Sequence, residues 1–242
     1  MSMSNELTVV IPARNEEKLL PRLFLSLLRQ DYRHIRDTKI YLADADSTDR
    51  TVEVARNFSR ELNICVIEGG LPSVGRNNGA RCADSRYLLF LDADIELGDC
   101  TLIRRTLEAM KKQSLHLVTT DILCPGGGIL DGLMYGCNNA VQRLSRYHRP
   151  FATGMFMLFD RERFDALGGF DELALYAEDY QLSRLVDRRR FKVVRGGVHS
   201  TNRRFQKMGY WKVVRFFVRT AFRGGRAGYY RDPMHRAYWE MS

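Results

Sequence analysis

The chain has 242 residues, 45% of them hydrophobic and 28% charged, the balance of one folded, soluble domain or one domain with an appendage. Five scattered cysteines (Cys65, Cys82, Cys100, Cys124, Cys137), odd in number and never spaced CxxC, argue against a disulfide framework or structural zinc and for a reducing compartment. The formal charge of +9 is concentrated late: ten Lys/Arg from Ser200 onward face only Asp232 and Glu240, so the basicity belongs to the tail.

The chain opens on a polar Ser4-Asn5-Glu6, without the basic start and long apolar stretch of a signal peptide. Leu7–Ile11, ended by Pro12, reads as a buried strand, and Leu19, Leu20, Leu23, Leu27 and Leu28 recur at helical spacing. Strands over Lys39–Ala43, Asn63–Ile67 and Tyr87–Leu91 alternate with helices through Val52 to Phe58 and Asn77 to Ala83. Ser47, Thr48 and Asp49 offer capping oxygens to the helix that follows them. Beyond these, Leu115–Leu123 and Met155–Phe159 read as strands, with helices from about Ile129 to Ser145 and from Glu178-Asp179 through Leu185. No apolar run approaches the ~20 residues of a membrane span. The expectation is a cytoplasmic protein, soluble or peripheral at the cytoplasmic face of a membrane.

Strands separated by single helices predict an α/β fold with a parallel sheet covered on both faces. Ligands bind such sheets at the carboxyl ends of the strands, so Pro12, Asp44 and Asp92 should converge. Asp92-Ala93-Asp94 places two carboxylates just beyond a buried strand, where they repel unless a cation joins them; the alternative is a solvated turn. Hard ions such as Mn²⁺ or Mg²⁺ take oxygen ligands and bridge to phosphates, and Glu96 stands close enough in sequence to join. Asp44 could accept hydrogen bonds from a base or ribose. Arg76, in Gly75-Arg-Asn-Asn-Gly79, could hold a phosphate or lie on the surface.

Taken in order, Val9–Glu17, Asp44–Thr51, Gly75–Gly79, Leu91–Ile95, Gly168-Gly-Phe-Asp-Glu172 and Glu178-Asp179 resemble the inverting family 2 glycosyltransferases of the GT-A fold. The resemblance runs over roughly residues 6 to 200. It implies a Rossmann-like, mostly parallel central sheet flanked by helices, with residues 1–200 as the transferase domain and 201–242 as a basic amphipathic helical extension. It implies a nucleotide pocket lined by Pro12, Ala13, Arg14 and Glu16, with Asp44 on the base and Arg76 supporting the nucleotide. The turn Asp92-Ala93-Asp94 would bind ribose and a divalent metal on the diphosphate of a UDP- or GDP-sugar. As in polyprenyl-phosphate mannose synthases, Glu96 would join the metal shell, and the Gly-Gly-Phe-Asp-Glu segment would support the acceptor. Asp179 would be the catalytic base. One departure is Asp46, which stands where the family's Asp-Asp-Gly-Ser pattern has glycine.

Inverting transfer needs a base for the acceptor hydroxyl and a cation for the departing diphosphate, which suits Asp179 and Asp94. His199 is a candidate fourth ligand or a structural histidine, and Arg203 and Arg204 could neutralise the leaving group. In the tail, Arg215, Arg219, Arg223 and Arg226 fall on one helical stripe, with Trp211, Val214, Phe217 and Val218 near another. Such a helix either lies on an anionic membrane surface, as a lipid-linked acceptor would favour, or packs on the domain. No nucleic-acid recognition motif is present. A nucleotidyltransferase would show a Gly-rich basic phosphate loop, which Pro12–Glu16 lacks. An inactive binding module of the same fold, and a retaining transferase, are the other readings.

Overall fold

The computed structural model describes residues 6–223 and 229–232. One eight-stranded sheet runs through it, in the order β3-β2-β1-β4-β7-β6-β8-β5. Its first four members, β1 (Leu7–Ala13), β2 (Lys39–Asp44), β3 (Ile64–Glu68) and β4 (Tyr87–Leu91), are mutually parallel. Each is followed by a helix or turn that returns the chain: α1 (Leu20–Leu28), α2 (Thr51–Phe58) and α3 (Pro72–Cys82). β1 and β4 are almost wholly buried, as expected of strands covered on both faces, and α1 seats Leu20, Leu23, Phe24 and Leu27 in the same core. The α/β class and the mostly parallel, helix-flanked sheet are as the sequence predicts.

The second half departs from simple alternation. β6 (Leu117–Leu123) and β8 (Phe191–His199) are parallel to each other, while β7 (Phe156–Asp160) lies between β4 and β6 and runs against both. A two-residue β5 (Glu96–Leu97) closes the far edge against the end of β8. Between them lie α4 (Leu102–Gln113), α5 (Ile129–Ser145), α6 (Arg161–Ala166) and α7 (Glu178–Ser183). The sequence reading assigned neither α4, α6, β5 nor β8. In β8 the apolar pattern is broken by Lys192, Arg195 and the Gly196-Gly197 pair, beside a register shift at Thr120/Asp121 of β6.

The tail is two helices rather than one, α8 (Arg203–Met208) and α9 (Tyr210–Arg223), separated by Gly209 at φ 79°. Phe205, Met208, Val213 and Tyr230 are buried in the main core, so this segment packs on the sheet domain. Among the described side chains of α9, Val213 and Thr220 are buried and Val214 half-buried, while Trp211, expected on the apolar stripe, is 86% exposed. The expectations for Arg204, Phe217, Val218, Arg223, Arg226 and Arg236 fall outside the residues whose side chains are described.

Candidate active site

The site lies at the carboxyl ends of β1, β2 and β4, and the loops there are tied to one another. Asn15 in the β1–α1 loop takes a hydrogen bond from the Thr48 amide and gives its own amide to Ser47 Oγ. Glu16 and Glu17 amides bond Thr51 Oγ1 and Asp49. The oxygens expected to cap α2 therefore mostly stitch two loops together, although Asp49 also accepts from the Thr51 amide. Asp46 adopts φ 54°, the left-handed conformation a glycine would favour and an aspartate tolerates, so the departure from the family pattern keeps the turn.

Asp44 ends β2 in register with Ala13, and its Oδ2 accepts from the Ser47 amide. Its Oδ1 is buried with no hydrogen-bond partner among the described residues, an acceptor left for something else. Ala13 and Ala93 are buried, Pro12 is half-buried and Arg14 is exposed.

Arg76 is neither a surface residue nor free to meet a phosphate. A β-carbon at Gly75 would press on Ala43 and one at Gly79 would collide with Val10, so these two glycines let α3 lie close on β1 and β2. That carries Arg76 to 2% exposure over the strand ends. Its guanidinium bonds Asp92 Oδ1 at 2.6 Å and Glu178 Oε1 at 2.5 Å, and stacks 5.3 Å from the Phe170 ring centre. Burial works against its charge, but Asp92, Glu178 and Asp179 outweigh that and raise its pKa.

Asp179 reaches the same spot from the other half of the molecule. Because β7 opposes β4, with Phe156 beside Leu91, the start of β7 lies next to the Asp92 turn. There the Gly154 amide donates to Asp179 Oδ2 at 2.6 Å. Any side chain at Gly154 would collide with the Arg76 guanidinium. Ala177, at φ 54°, turns the chain sharply just before Glu178 and Asp179. Burial, then the Glu178 charge, push the Asp179 carboxyl up to about 6, against the pull of Arg76 and two backbone amides. Sequence reasoning missed Gly154 and the part played by Glu178; a glycine just ahead of an apolar run was the only available signal for Gly154.

The Gly168–Glu172 segment is placed by Asn77, which takes a bond from the Phe170 amide and gives bonds to the Phe170 carbonyl and Glu172. Phe170 joins Phe90 and Phe164 in an aromatic cluster beneath Arg76. Glu172 also pairs with Arg81 across the surface.

On the opposite side of the turn, Arg203 bonds Glu16 at 2.7 Å and lies 3.5 Å from Asp94. Burial raises the Glu16 pKa against the Arg203 bond, and the nearby Asp94 and Asp92 charges add to the rise. Glu16 and Asp94 thus share one guanidinium, while Asp92, tied to Arg76, adds its charge from nearby; carboxylate oxygens are the donors a hard divalent cation takes. Glu96 is turned to Arg29, 2.5 Å away, and His199 packs on Gly98. Both border a cavity of about 240 Å³ with Asp94, but no three His, Cys, Asp or Glu side chains among the described residues gather as a metal cluster. An ion that also binds a diphosphate needs only one or two protein carboxylates.

A family model for glycosyl transferase family 2 matches residues 8–168. A 4,4'-diaponeurosporenoate glycosyltransferase from Staphylococcus haemolyticus is 34% identical over 115 residues, 46% of this chain and 30% of that protein. A poly(ribitol-phosphate) beta-glucosyltransferase from Bacillus spizizenii is 31% identical over 41% of this chain and 16% of its own length. The matched region thus spans less than a third of either relative. Among solved structures, the mannosyltransferase PcManGT from Pyrobaculum calidifontis, in complex with GDP-Man and Mn²⁺, superposes with a TM-score of 0.66 at 18% identity. That alignment covers 97% of this chain and 69% of that one. S. aureus TarS 1-349 with UDP-GlcNAc gives 0.62 at 18% identity, over 79% and 58%. At these identities the solved structures establish the shared fold.

Proposed function

The chain belongs to glycosyl transferase family 2, and from that premise we propose that it transfers a hexose from a UDP- or GDP-sugar to an acceptor hydroxyl or lipid phosphate, with inversion. Residues 1–200 are the transferase domain and 201–242 a basic extension. The observation that carries this reading is the unbroken chain of contacts Asp92–Arg76–Glu178, with Asp179 and Gly154 locked beside it. It holds a donor-side carboxylate and a basic carboxylate in fixed relation.

In this reading Asp44 Oδ1 accepts an N–H of the base, and Pro12, Ala13, Arg14 and Glu16 line the nucleotide pocket. Asp92 meets the ribose, with Arg76 fixing its orientation rather than touching the phosphates. Asp94, with Asp92, would hold Mn²⁺ or Mg²⁺, which supplies positive charge to the departing diphosphate. Arg203, released from Glu16, adds a second positive charge there. Asp179 takes the proton of the acceptor hydroxyl as oxygen attacks the anomeric carbon from the face opposite the leaving group, which gives inversion in one displacement. A carboxylate raised to about 6 is a better proton acceptor than an ordinary one and is still ionised at neutral pH. The names of relatives and neighbours, which include UDP-GlcNAc and GDP-Man complexes, support a nucleotide-sugar donor. Relatives named for lipid-linked substrates, such as a GalNAc(5)-diNAcBac-PP-undecaprenol glucosyltransferase, support a lipid-linked acceptor and a peripheral place at a membrane.

Thermal melting with UDP- and GDP-sugars, with and without Mn²⁺, tests the donor side: one nucleotide sugar should raise Tm, and only with metal. A metal-independent response from every donor counts against the cation. Asp179→Asn should keep that donor-induced shift and lose transfer by about 10²-fold or more. Undiminished transfer would remove Asp179 from the mechanism.

A further inference from the structure

α5 carries an apolar face that nothing in the described structure covers. Its inner side is used: Tyr135 and Gln142 bond the sheet and the α8 region, and Asp131 takes bonds from Asn202 and Tyr210. Its outer side presents Ile129 at 93%, Leu133 at 60% and Leu144 at 65% exposure, with Leu130 and Val141 also more than half exposed. These residues recur at helical spacing along the whole 17-residue helix, about 25 Å of surface. The Tyr210–Asp131 bond ties the start of α9 to the inner side of α5, and Trp211 beside it is a separate exposed ring. A continuous exposed stripe of this size marks an interaction surface rather than scattered surface leucines.

Charge says what covers it. From Pro125 to Arg149 the only acid is Asp131, buried and already bonded; Arg143 is paired with Asp121, while Arg146 and Arg149 add positive charge at the end of the helix. At the far end of the helix a cavity of about 390 Å³ is lined by Arg146, Arg188, Arg189 and Lys192 with Tyr147 and Phe191. A second copy of the chain would set this cationic end against a similarly basic surface. An anionic bilayer matches both parts: acyl chains for the stripe and headgroup phosphates for the arginines.

We infer that the outer face of α5 is the surface on which this protein sits on an anionic lipid membrane. The face begins beside Gly126 and Gly127 at the mouth of the cavity that holds Asp94, so docking brings that mouth to the lipid surface. The inference stands whether or not the transfer reaction above is correct, because its test reads membrane binding alone.

The test is co-sedimentation of the full chain with phosphatidylcholine vesicles, with and without phosphatidylglycerol. Wild type should pellet with the anionic vesicles and much less with the neutral ones. Leu133→Asp/Leu144→Asp, two exposed positions, should weaken binding about tenfold or more. Arg146→Ala/Arg188→Ala/Arg189→Ala should weaken it and flatten its salt dependence. Circular dichroism and the donor-induced melting shift should match wild type in both variants. Wild type left in the supernatant, equal binding to neutral vesicles, or unchanged binding by the variants would each overturn the assignment. So would a dimer that Leu133→Asp dissociates without any vesicle binding.

Discussion

The two halves of the sheet are built on different terms. Residues 7–91 form four parallel strands whose functional ends follow one another in register, and their loops are bonded to their neighbours. Of the large apolar side chains exposed among the described residues, only Leu25 lies in that half. Residues 115–213 contain a reversed strand, a register shift and six positive-φ residues, Gly126, Gly168, Gly169, Ala177, Gly196 and Gly209, and they expose all the others. The first half gathers the strand-end carboxylates behind bonded loops; the second carries most of the exposed apolar surface. What unites them is Arg76, on a helix of the first half and bonded to carboxylates of both.

The largest test of that comparison removes the link. Arg76→Met leaves Asp92 and the 4%-exposed Glu178 without their cation and should destabilise the protein by about 3–5 kcal/mol, measured by urea unfolding. A loss below ~1 kcal/mol would mean that the Arg76 junction adds little to the β4–β7 pairing that also joins the halves. Next, Gly154→Ala forces a methyl against a guanidinium held at both ends and should cost about 1–3 kcal/mol, with transfer falling more steeply than donor binding. Equal losses in kcat and donor affinity would place Gly154 on the donor side instead. A smaller effect comes from pH. Asp179 must be ionised to act, and its folded-state pKa is raised to about 6, so kcat should fall about tenfold per unit below that value and level off above it. The same raised pKa means that its contribution to stability is present at low pH and is lost as pH rises through about 6. A profile flat from pH 5 to 7, in the ~tenfold-per-unit sense used here, would assign the proton to another group. Smallest of all, Arg81→Ala removes a surface tie to Glu172 and should change stability by less than ~1 kcal/mol, because Asn77 still holds that loop.

The same division explains what could be read from the sequence. Uninterrupted apolar runs such as Tyr87–Leu91 show themselves directly, and the predicted and observed limits of that strand coincide. Asp44, Asp92 and Asp94 could be placed because a parallel sheet puts its ligands at strand ends. β5 is too short for any periodicity, and β8 hides its alternation behind charged residues and paired glycines. α4 buries Leu102, Ile103, Leu107 and Met110 at helical spacing; its signal was present and went unassigned. The burial of Arg76 was not legible at all, since it depends on Gly75 and Gly79 admitting α3 to the sheet and on Glu178, 102 positions away. Gly154 acts through a backbone amide and an absent side chain, neither of which a sequence displays.

The reversed direction of β7 has a consequence for how such a protein can diversify. A strand that starts where its neighbour β4 ends places a fresh entry point into the sheet beside the chemistry. The long excursion from Cys124 to Met155 that feeds it, α5 included, touches the site only near its two ends, at the Asp94 cavity and at Gly154, and runs between strands. Its outer face can therefore be rewritten, residue by residue, to suit a new acceptor or a new cellular address while the Arg76 junction stays fixed. On the reading proposed above, β7 thereby lets the acceptor side vary while the donor side is kept.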